Sequence, residues 1–128
     1  MSIIDNLKFL FTSFETEKHM KVRARTCWAF TAGYMGIDKP GAHPPVITKK
    51  QAVRTGIEGR WQNGHYKSLS LAKWIIKERV WVLENDDGGV LCHEFTHALM
   101  TRRGDKIEES YPEKVKHAWD ARPAAYDT

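Results

Sequence analysis

The chain has 128 residues, of which 41% are hydrophobic and 28% are charged, and its net charge is +4. This length suits one domain over residues 1–128, and the composition excludes a disordered segment. No apolar run approaches the roughly 18 residues of a membrane-spanning helix, so no membrane span is expected. The two cysteines, Cys27 and Cys92, do not form a CxxC pair, which excludes a cysteine zinc knuckle.

The first residues lack the pattern of a secretory signal peptide, because no basic region precedes an apolar core. We therefore expect a cytoplasmic location, unless another secretion route delivers the chain. The basic residues are scattered and are not interleaved with aromatic residues, so no specific nucleic-acid partner is expected. No segment identifies an inhibitor or an immunity partner.

The N-terminal part of the chain has the pattern of helix. Apolar residues recur at spacings of three and four over residues 3–14, which predicts an amphipathic helix. A less regular continuation predicts helix through residues 15–34, ended by Gly36 and the proline and glycine at 40–41. We expect N-terminal helices followed by a loop over residues 41–45.

The next segment mixes strand and turn signals. Residues 46–48 predict a short strand, and Thr48 is a candidate N-cap for a helix over residues 49–57. The Asn63-Gly64 pair is a strong turn signal and predicts a hairpin over residues 61–66. His65, beside this turn, could lie near the cleft, but as a lone histidine in a hairpin it is expected to be structural or solvent-facing.

Strand-forming residues then occupy positions 68–71 and 74–83. Four consecutive apolar residues at 80–83 predict a strand that is covered on both faces. We expect a small, mostly antiparallel sheet of three or four strands. Its edge, over residues 66–71, could align an extended substrate by main-chain pairing.

The last part of the chain again has the pattern of helix. The asparagine, aspartates and glycines of residues 85–89 predict a turn that leads into a helix over residues 90–103, ended by Gly104. A final helix is expected over residues 112–119, and Pro123 breaks or restarts it.

The segment His93-Glu94-Phe95-Thr96-His97 has the HExxH spacing of a zinc site. On a helix, positions i and i+4 share a face, so the imidazoles of His93 and His97 can reach one metal ion. Glu94 lies about 100° around the helix from His93, beside the metal. A carboxylate there can accept a proton from an attacking water. The motif therefore predicts a bound Zn²⁺ with Glu94 as the general base.

A catalytic zinc normally has three protein ligands. The metzincin pattern requires a glycine and a histidine at the positions where this chain has Met100 and Arg103, so that class is excluded. The candidates that stay open for the third ligand are Asp105, Glu108, Glu109, Glu113, His117, Asp120 and Asp127.

The stretch HEFTHAL, followed by Lys106-Ile107-Glu108-Glu109-Ser110-Tyr111, resembles the aspzincin, or deuterolysin-like, metalloendopeptidases. In that family, HExxH precedes a GTxDxxYG segment. The resemblance implies that Glu108 is the third metal ligand and that Tyr111 stabilises the transition state. This chain departs from the family at Asp105-Lys106, which replace Gly-Thr, at Glu108, which replaces Asp, and at Pro112, which replaces the final Gly.

A second arrangement, like that of the gluzincins, takes the third ligand from the final helix or beyond it, at His117, Asp120 or Asp127. In either case we expect a compact α+β, zincin-like fold and a zinc-dependent metallopeptidase that acts on protein or peptide substrates. Two other functions stay open. One is a peptidoglycan amidase or endopeptidase, which the basic charge suits, and the other is a non-catalytic, zinc-bound binding or regulatory module.

Overall fold

A computed structural model describes residues 18–55, 60–72 and 75–122. The helix predicted over residues 3–14 lies outside the described residues, as do Pro123 and Asp127. The elements of the described part are, in chain order, α1 (Lys18–Tyr34), β1 (Val46–Lys49), β2 (Val53–Thr55), β3 (Arg60–Gln62), β4 (Gly64–Ala72), β5 (Ile75–Leu83), α2 (Gly89–Arg103) and α3 (Ser110–Asp120). The α+β class is confirmed. Within these ranges, no helix has both the length and the apolar character to cross a bilayer.

The strands form one three-stranded sheet and one separate pair. The central strand of the larger sheet is β5, which runs parallel to β1 and antiparallel to β4. The smaller sheet pairs β2 with β3 in antiparallel orientation. The larger sheet is mixed, because the long connection from β1 to β5 returns the chain in the same direction, and two of the three strand pairings in the described residues are antiparallel, as expected.

Two predictions for the middle of the chain are wrong. Thr48 does not cap a helix over residues 49–57, because β1 continues through Lys49 and residues 53–55 form β2. Pairing of β1 with β5 supplies the backbone partners that a helix would have supplied. Asn63-Gly64 does not close a hairpin either, because β3 pairs with β2, whereas β4 pairs with β5.

The helix predictions that fall on the described residues are confirmed. Helix α1 covers the described part of the predicted 15–34 segment, and α2 begins one residue before the predicted 90–103 helix. Helix α3 extends the predicted 112–119 helix at both ends. The strongest local signal is that of α2, whose ends are both marked by glycines.

The core lies between the helices and the inner face of the three-stranded sheet. Val80 of β5 is fully buried there. Trp28 of α1 packs edge to face on Phe95 of α2, with ring centroids 5.0 Å apart. Phe30 and Trp119 of α3 make the same kind of contact at 5.3 Å. Aromatic rings bury large areas and so hold α2 between α1 and α3.

Strand β5 is covered on both faces, as its apolar run predicts. Val80, Trp81 and Val82 are all buried, although Trp81 points to the face opposite that of its two neighbours. The sheet therefore has an inner face toward the helices and an outer face around Trp81.

Candidate metal centre

Helix α2 begins at a turn whose backbone amides are held by one carboxylate. Oδ2 of Asp86 accepts hydrogen bonds from the amides of Gly88 and Leu91, both at 3.1 Å. Oδ1 of Asp86 accepts one from the amide of Val90 at 3.3 Å. Burial raises the pKa of Asp86, and these hydrogen bonds oppose the increase. Because the first amides of a helix have no partner within it, Asp86 supplies the acceptors that they need.

Glycines define both ends of α2, as the sequence predicts. Gly88 has φ 115°, in the left-handed region that favours glycine, and a Cβ there would lie 2.5 Å from the ring of Trp119. Gly104 ends the helix with φ 79°, and its amide contacts the carbonyls of Met100 and Thr101. The close contact at Gly88 brings α3 against the start of α2.

The two sides of α2 have different environments. The residues that it buries in the core include Leu91, Cys92, Phe95, Ala98 and Leu99. His93 and His97 are half-buried, with ring centroids 5.0 Å apart. One ligand atom from each imidazole and one carboxylate oxygen of Glu94 lie within 4.8 Å of one another. The described residues thus contain a His-Glu-x-x-His group that could hold a metal ion.

The motif opens into a cleft of about 730 Å³ between α2, α3 and β4. Gly64, His65 and Tyr66 of β4 form one of its walls. This strand approaches α2 closely because Gly64 has no side chain, since a Cβ there would lie 2.5 Å from Cγ1 of Val90. Gly64 is therefore needed for close packing rather than for a turn. His65 is exposed to solvent, as expected, and also lines the cleft.

Tyr66 also connects the sheet to the far end of α2. Its hydroxyl donates to Oε2 of Glu78 at 2.7 Å, and Arg102, in the last turn of α2, forms an ion pair with Oε1 of Glu78 at 2.6 Å. Burial, followed by the hydrogen bond to Glu78, raises the pKa of Tyr66. This network holds β4 beside the motif.

Two carboxylates from the α3 side meet the imidazoles. Oε2 of Glu109 lies 2.8 Å from Nε2 of His93, and Oε1 of Glu109 lies 3.1 Å from Nε2 of His97. Oε1 of Glu113 lies 2.8 Å from Nδ1 of His93. Both glutamates are among the seven residues that the sequence leaves open, and the structure brings both to the motif.

The charges around His93 fit a bound cation. A neutral imidazole has one N–H, whereas a carboxylate only accepts hydrogen bonds, and His93 has a carboxylate at each ring nitrogen. This arrangement needs a positive charge at the ring, supplied either by a second proton on His93 or by a cation that the site would hold. Burial lowers the pKa of His97, which favours the neutral imidazole that metal binding requires. Two imidazoles and a carboxylate are a ligand set that zinc takes in catalytic sites.

Glu94, the carboxylate of the motif, is buried, with 6% of its surface exposed. It accepts a hydrogen bond from the backbone amide of Tyr66, whereas its Oε2 atom is buried without any hydrogen-bond partner. Burial, and next the negative charge of Glu109, raise the pKa of Glu94 to about 8. The motif therefore contains a carboxylate oxygen that is held in place and still able to accept a proton.

Glu108 and Tyr111 contact other groups than the imidazoles. Glu108 accepts hydrogen bonds from the amides of Ser110 at 3.1 Å and Tyr111 at 2.9 Å, and from the Ser110 hydroxyl. The Ser110 hydroxyl, more than the amides, lowers the pKa of Glu108. The Tyr111 ring packs on Tyr34 at 5.9 Å and is not among the described residues that line the cleft. The roles that the aspzincin resemblance implies for Glu108 and Tyr111 stay predictions.

Two of the three candidates of the gluzincin-like arrangement, His117 and Asp120, fall on described residues and lie outside the cleft lining. His117 has 75% of its side chain exposed, and its Nε2 is 3.7 Å from Oε2 of Glu113. Asp120 lies beside the start of α2, where a Cβ on Gly89 would be 2.9 Å from Oδ1 of Asp120. Neither residue is among the described residues that line the cleft.

Comparison with known proteins adds no relative. No family model, no curated protein and no solved structure matches the chain. The chemistry of the site is therefore argued from its own geometry, and the part of the expectation that the structure supports is a His-Glu-x-x-His group, formed by His93, Glu94 and His97, that could hold a metal ion.

Proposed function

We propose that the protein is a zinc-dependent metallopeptidase in which His93, His97 and Glu109 hold the metal. In this proposal Glu94 is the general base. The observation that carries the proposal is the carboxylate of Glu94, which lies beside the imidazoles, with Oε1 4.0 Å from Nε2 of His93, and whose buried Oε2 has no hydrogen-bond partner. An unpartnered buried carboxylate oxygen is costly to the fold, which favours a role in receiving a proton.

The proposed chemistry divides between the metal and the chain. A zinc ion, when bound, supplies a Lewis acid that polarises the scissile carbonyl and lowers the pKa of water. Glu94 accepts a proton from the attacking water at its unpartnered oxygen and delivers it to the leaving amine. Burial and the charge of Glu109 raise the pKa of Glu94 in the metal-free fold, and a cation held beside it would favour the ionised carboxylate that can accept the proton.

Glu109 is proposed as the third ligand because its two oxygens lie 2.8 and 3.1 Å from the Nε2 atoms of the two histidines. Glu113 accepts from Nδ1 of His93 and so fixes the orientation of that ring, as carboxylates outside the ligand set commonly do. The aspzincin resemblance implies Glu108 as the third ligand instead, but the oxygens of Glu108 accept hydrogen bonds from the first amides of α3.

A peptide is proposed as the substrate because of strand β4. This strand is an edge of the three-stranded sheet within the described residues, and it forms a wall of the cleft. An edge strand presents backbone groups that can pair with an extended peptide. Such pairing would carry the peptide past Glu94, which accepts a hydrogen bond from the amide of Tyr66 in the same strand.

The test is the Glu94→Gln variant. It should keep about one zinc per chain, because Glu94 is not a proposed ligand, and lose hydrolysis by on the order of 10²–10⁴-fold, because an amide cannot accept the proton. Zinc would be measured by elemental analysis, and hydrolysis on a panel of denatured proteins and synthetic peptides. Glu84→Gln, outside the cleft lining, is the matched control and should keep both properties.

Other outcomes point to other functions. If Glu94→Gln lost its zinc, Glu94 would be a ligand and the proposed role would be wrong. A zinc-loaded protein that cleaves peptidoglycan and not the protein panel would be the amidase or endopeptidase. A zinc-loaded protein that cleaves neither substrate would be the non-catalytic module.

A further inference from the structure

A second cavity, of about 330 Å³, lies on the outer face of the three-stranded sheet, next to the cleft. The described residues that line it are Ile47, Lys49, His65, Lys67, Arg79 and Trp81. None of these six is acidic. His65 lines both this cavity and the cleft, so the two spaces meet at that residue.

The pairing of the strands brings the cavity residues together from distant parts of the chain. Trp81 of β5 pairs in register with Ile47 of β1 and with His65 of β4. Arg79 of β5 pairs with Lys67 of β4. Because successive side chains of a strand alternate between faces, these five residues share the outer face of the sheet.

The cavity concentrates positive charge. Lys49, Lys67 and Arg79 are half-buried rather than fully solvated, so water screens their charges less. Lys67 and Arg79 also make other interactions within the described structure. The positive charge also affects His65, whose pKa is lowered first by burial and then by Lys67.

We infer that this cavity binds an acidic side chain of the peptide substrate, so that the protein prefers peptides with a carboxylate close to the scissile bond. The inference rests on the proposed metallopeptidase function. It adds a substrate class, acidic peptides, that the HExxH motif does not specify. The guanidinium of Arg79 offers the planar pair of donors that a carboxylate accepts, and Lys67 adds a second charge opposite it.

The geometry of β4 explains how one peptide could use both spaces. Gly64 and Tyr66 face the cleft, whereas Lys67 faces the outer cavity. A peptide that pairs with the edge of β4 also alternates its side chains between the two faces. Every second side chain of such a peptide would then point toward the side of Lys67.

A peptide fits this cavity better than a nucleic acid does. Proteins that bind single-stranded nucleic acids stack the bases on exposed aromatic faces. Trp81 has only 8% of its surface exposed, and Nζ of Lys49 lies 4.6 Å from the centroid of its ring. The aromatic ring of the cavity is therefore covered, and the charges are what the cavity presents to a ligand.

Binding provides a test that does not depend on turnover. The zinc-loaded Glu94→Gln protein would be titrated with a short glutamate-rich peptide and with the same peptide carrying glutamine at those positions. We expect the acidic peptide to bind about 10–100-fold more tightly, the range of one or two charge-assisted hydrogen bonds. Adding Lys67→Gln and Arg79→Gln should remove this difference. Adding Lys18→Gln and Lys21→Gln, an equal loss of charge at two exposed sites on α1, should retain it.

A variant that preserves both charges distinguishes a loss of charge from a folding defect. Lys67→Arg combined with Arg79→Lys keeps both charges and should keep most of the preference for the acidic peptide. A kinetic test uses the enzyme with Glu94 intact and compares kcat/KM for the acidic peptide with kcat/KM for the glutamine peptide. The ratio of these two values should fall toward 1 in the Lys67→Gln/Arg79→Gln variant. Added salt should also lower the ratio for the unmodified chain.

Three results would overturn the inference. The first is equal binding of the acidic and glutamine peptides, and the second is a full preference for the acidic peptide after Lys67 and Arg79 are neutralised. The third is displacement of the acidic peptide by a single-stranded oligonucleotide at much lower concentration, which would assign the cavity to nucleic acid. Preferential binding of the acidic peptide, with no peptide cleaved by the unmodified chain, would support the cavity and contradict the metallopeptidase function.

Discussion

Four carboxylates of this protein fall into two pairs, one at the starts of two helices and the other in the cleft. Asp86 and Glu108 precede α2 and α3, and each accepts hydrogen bonds from the first amides of its helix. Glu94 and Glu109 instead lie beside the imidazoles. Glu108 and Glu109 are neighbours in the chain and have identical side chains, but Glu108 contacts the start of a helix and Glu109 contacts the imidazoles.

Burial does not distinguish a carboxylate that holds a helix from one that faces the cleft. Burial raises the pKa of both Asp86 and Glu94. The distinguishing property is how many oxygen lone pairs are used. Asp86 accepts from three backbone amides, whereas Oε2 of Glu94 has no partner. A buried acceptor that the fold leaves unused calls for an explanation, and the role proposed for Glu94 supplies one.

The largest expected effect separates Glu109 from Glu108. Glu109→Ala should weaken zinc binding by at least about 100-fold, the upper end of the cost of losing even an outer-shell partner. Glu108→Ala should leave zinc affinity nearly unchanged, because its oxygens contact the amides that begin α3. Competition with a chelating dye would measure both affinities. The reverse result, with Glu108→Ala releasing zinc, would restore the ligand that the aspzincin resemblance implies.

The next effect concerns the carboxylate that begins α2. Asp86→Ala leaves three backbone amides without their acceptor and should lower the free energy of unfolding by about 2–4 kcal/mol. Urea denaturation would measure this. Asp87→Ala is the control, because the Asp87 side chain accepts from the amide of Gly89 alone rather than from three amides, and it should cost about 1 kcal/mol or less. Equal losses in the two variants would show that Asp86 has no special role.

The smallest effect, when measured over a single pH unit, is a dependence of stability on pH. The pKa of Glu94 in the metal-free fold, about 8, lies above its ordinary value of 4.5. Its contribution to stability is therefore full below pH 4.5 and is lost as pH rises through about 8. The slope is at most about 1.4 kcal/mol per pH unit. Glu94→Gln should remove it, as measured by urea denaturation with a chelator present, and identical slopes in the two proteins would contradict the assignment.

Local patterns were enough to predict the helices and the motif. The spacing of His93 and His97 places their imidazoles on one side of any helix, and the glycines at 88–89 and 104 delimit that helix. The apolar run around Trp81 predicted a strand covered on both faces, and all three residues from Val80 to Val82 are buried. Each of these inferences needed only residues that are close in the chain.

Interactions between distant segments were beyond local patterns. Gly64 has the sequence signature of a turn, but its function is to let β4 approach Val90 of α2. The helix expected over residues 49–57 was replaced by strands because β1 pairs with β5, more than thirty residues later in the chain. A propensity for one local structure is weaker than a full set of hydrogen bonds from a tertiary partner.

The residue types and their spacing along the chain thus decide that α2 presents two imidazoles and a carboxylate together, because helix geometry relates positions i and i+4 regardless of context. Only the tertiary structure decides which neighbours they meet. Glu108 and Glu109 are identical residues at adjacent positions. The turn into α3 directs Glu108 to the backbone and Glu109 to the imidazoles. The basic cavity likewise exists only because the three-stranded sheet places Lys49, Lys67 and Arg79 on one face.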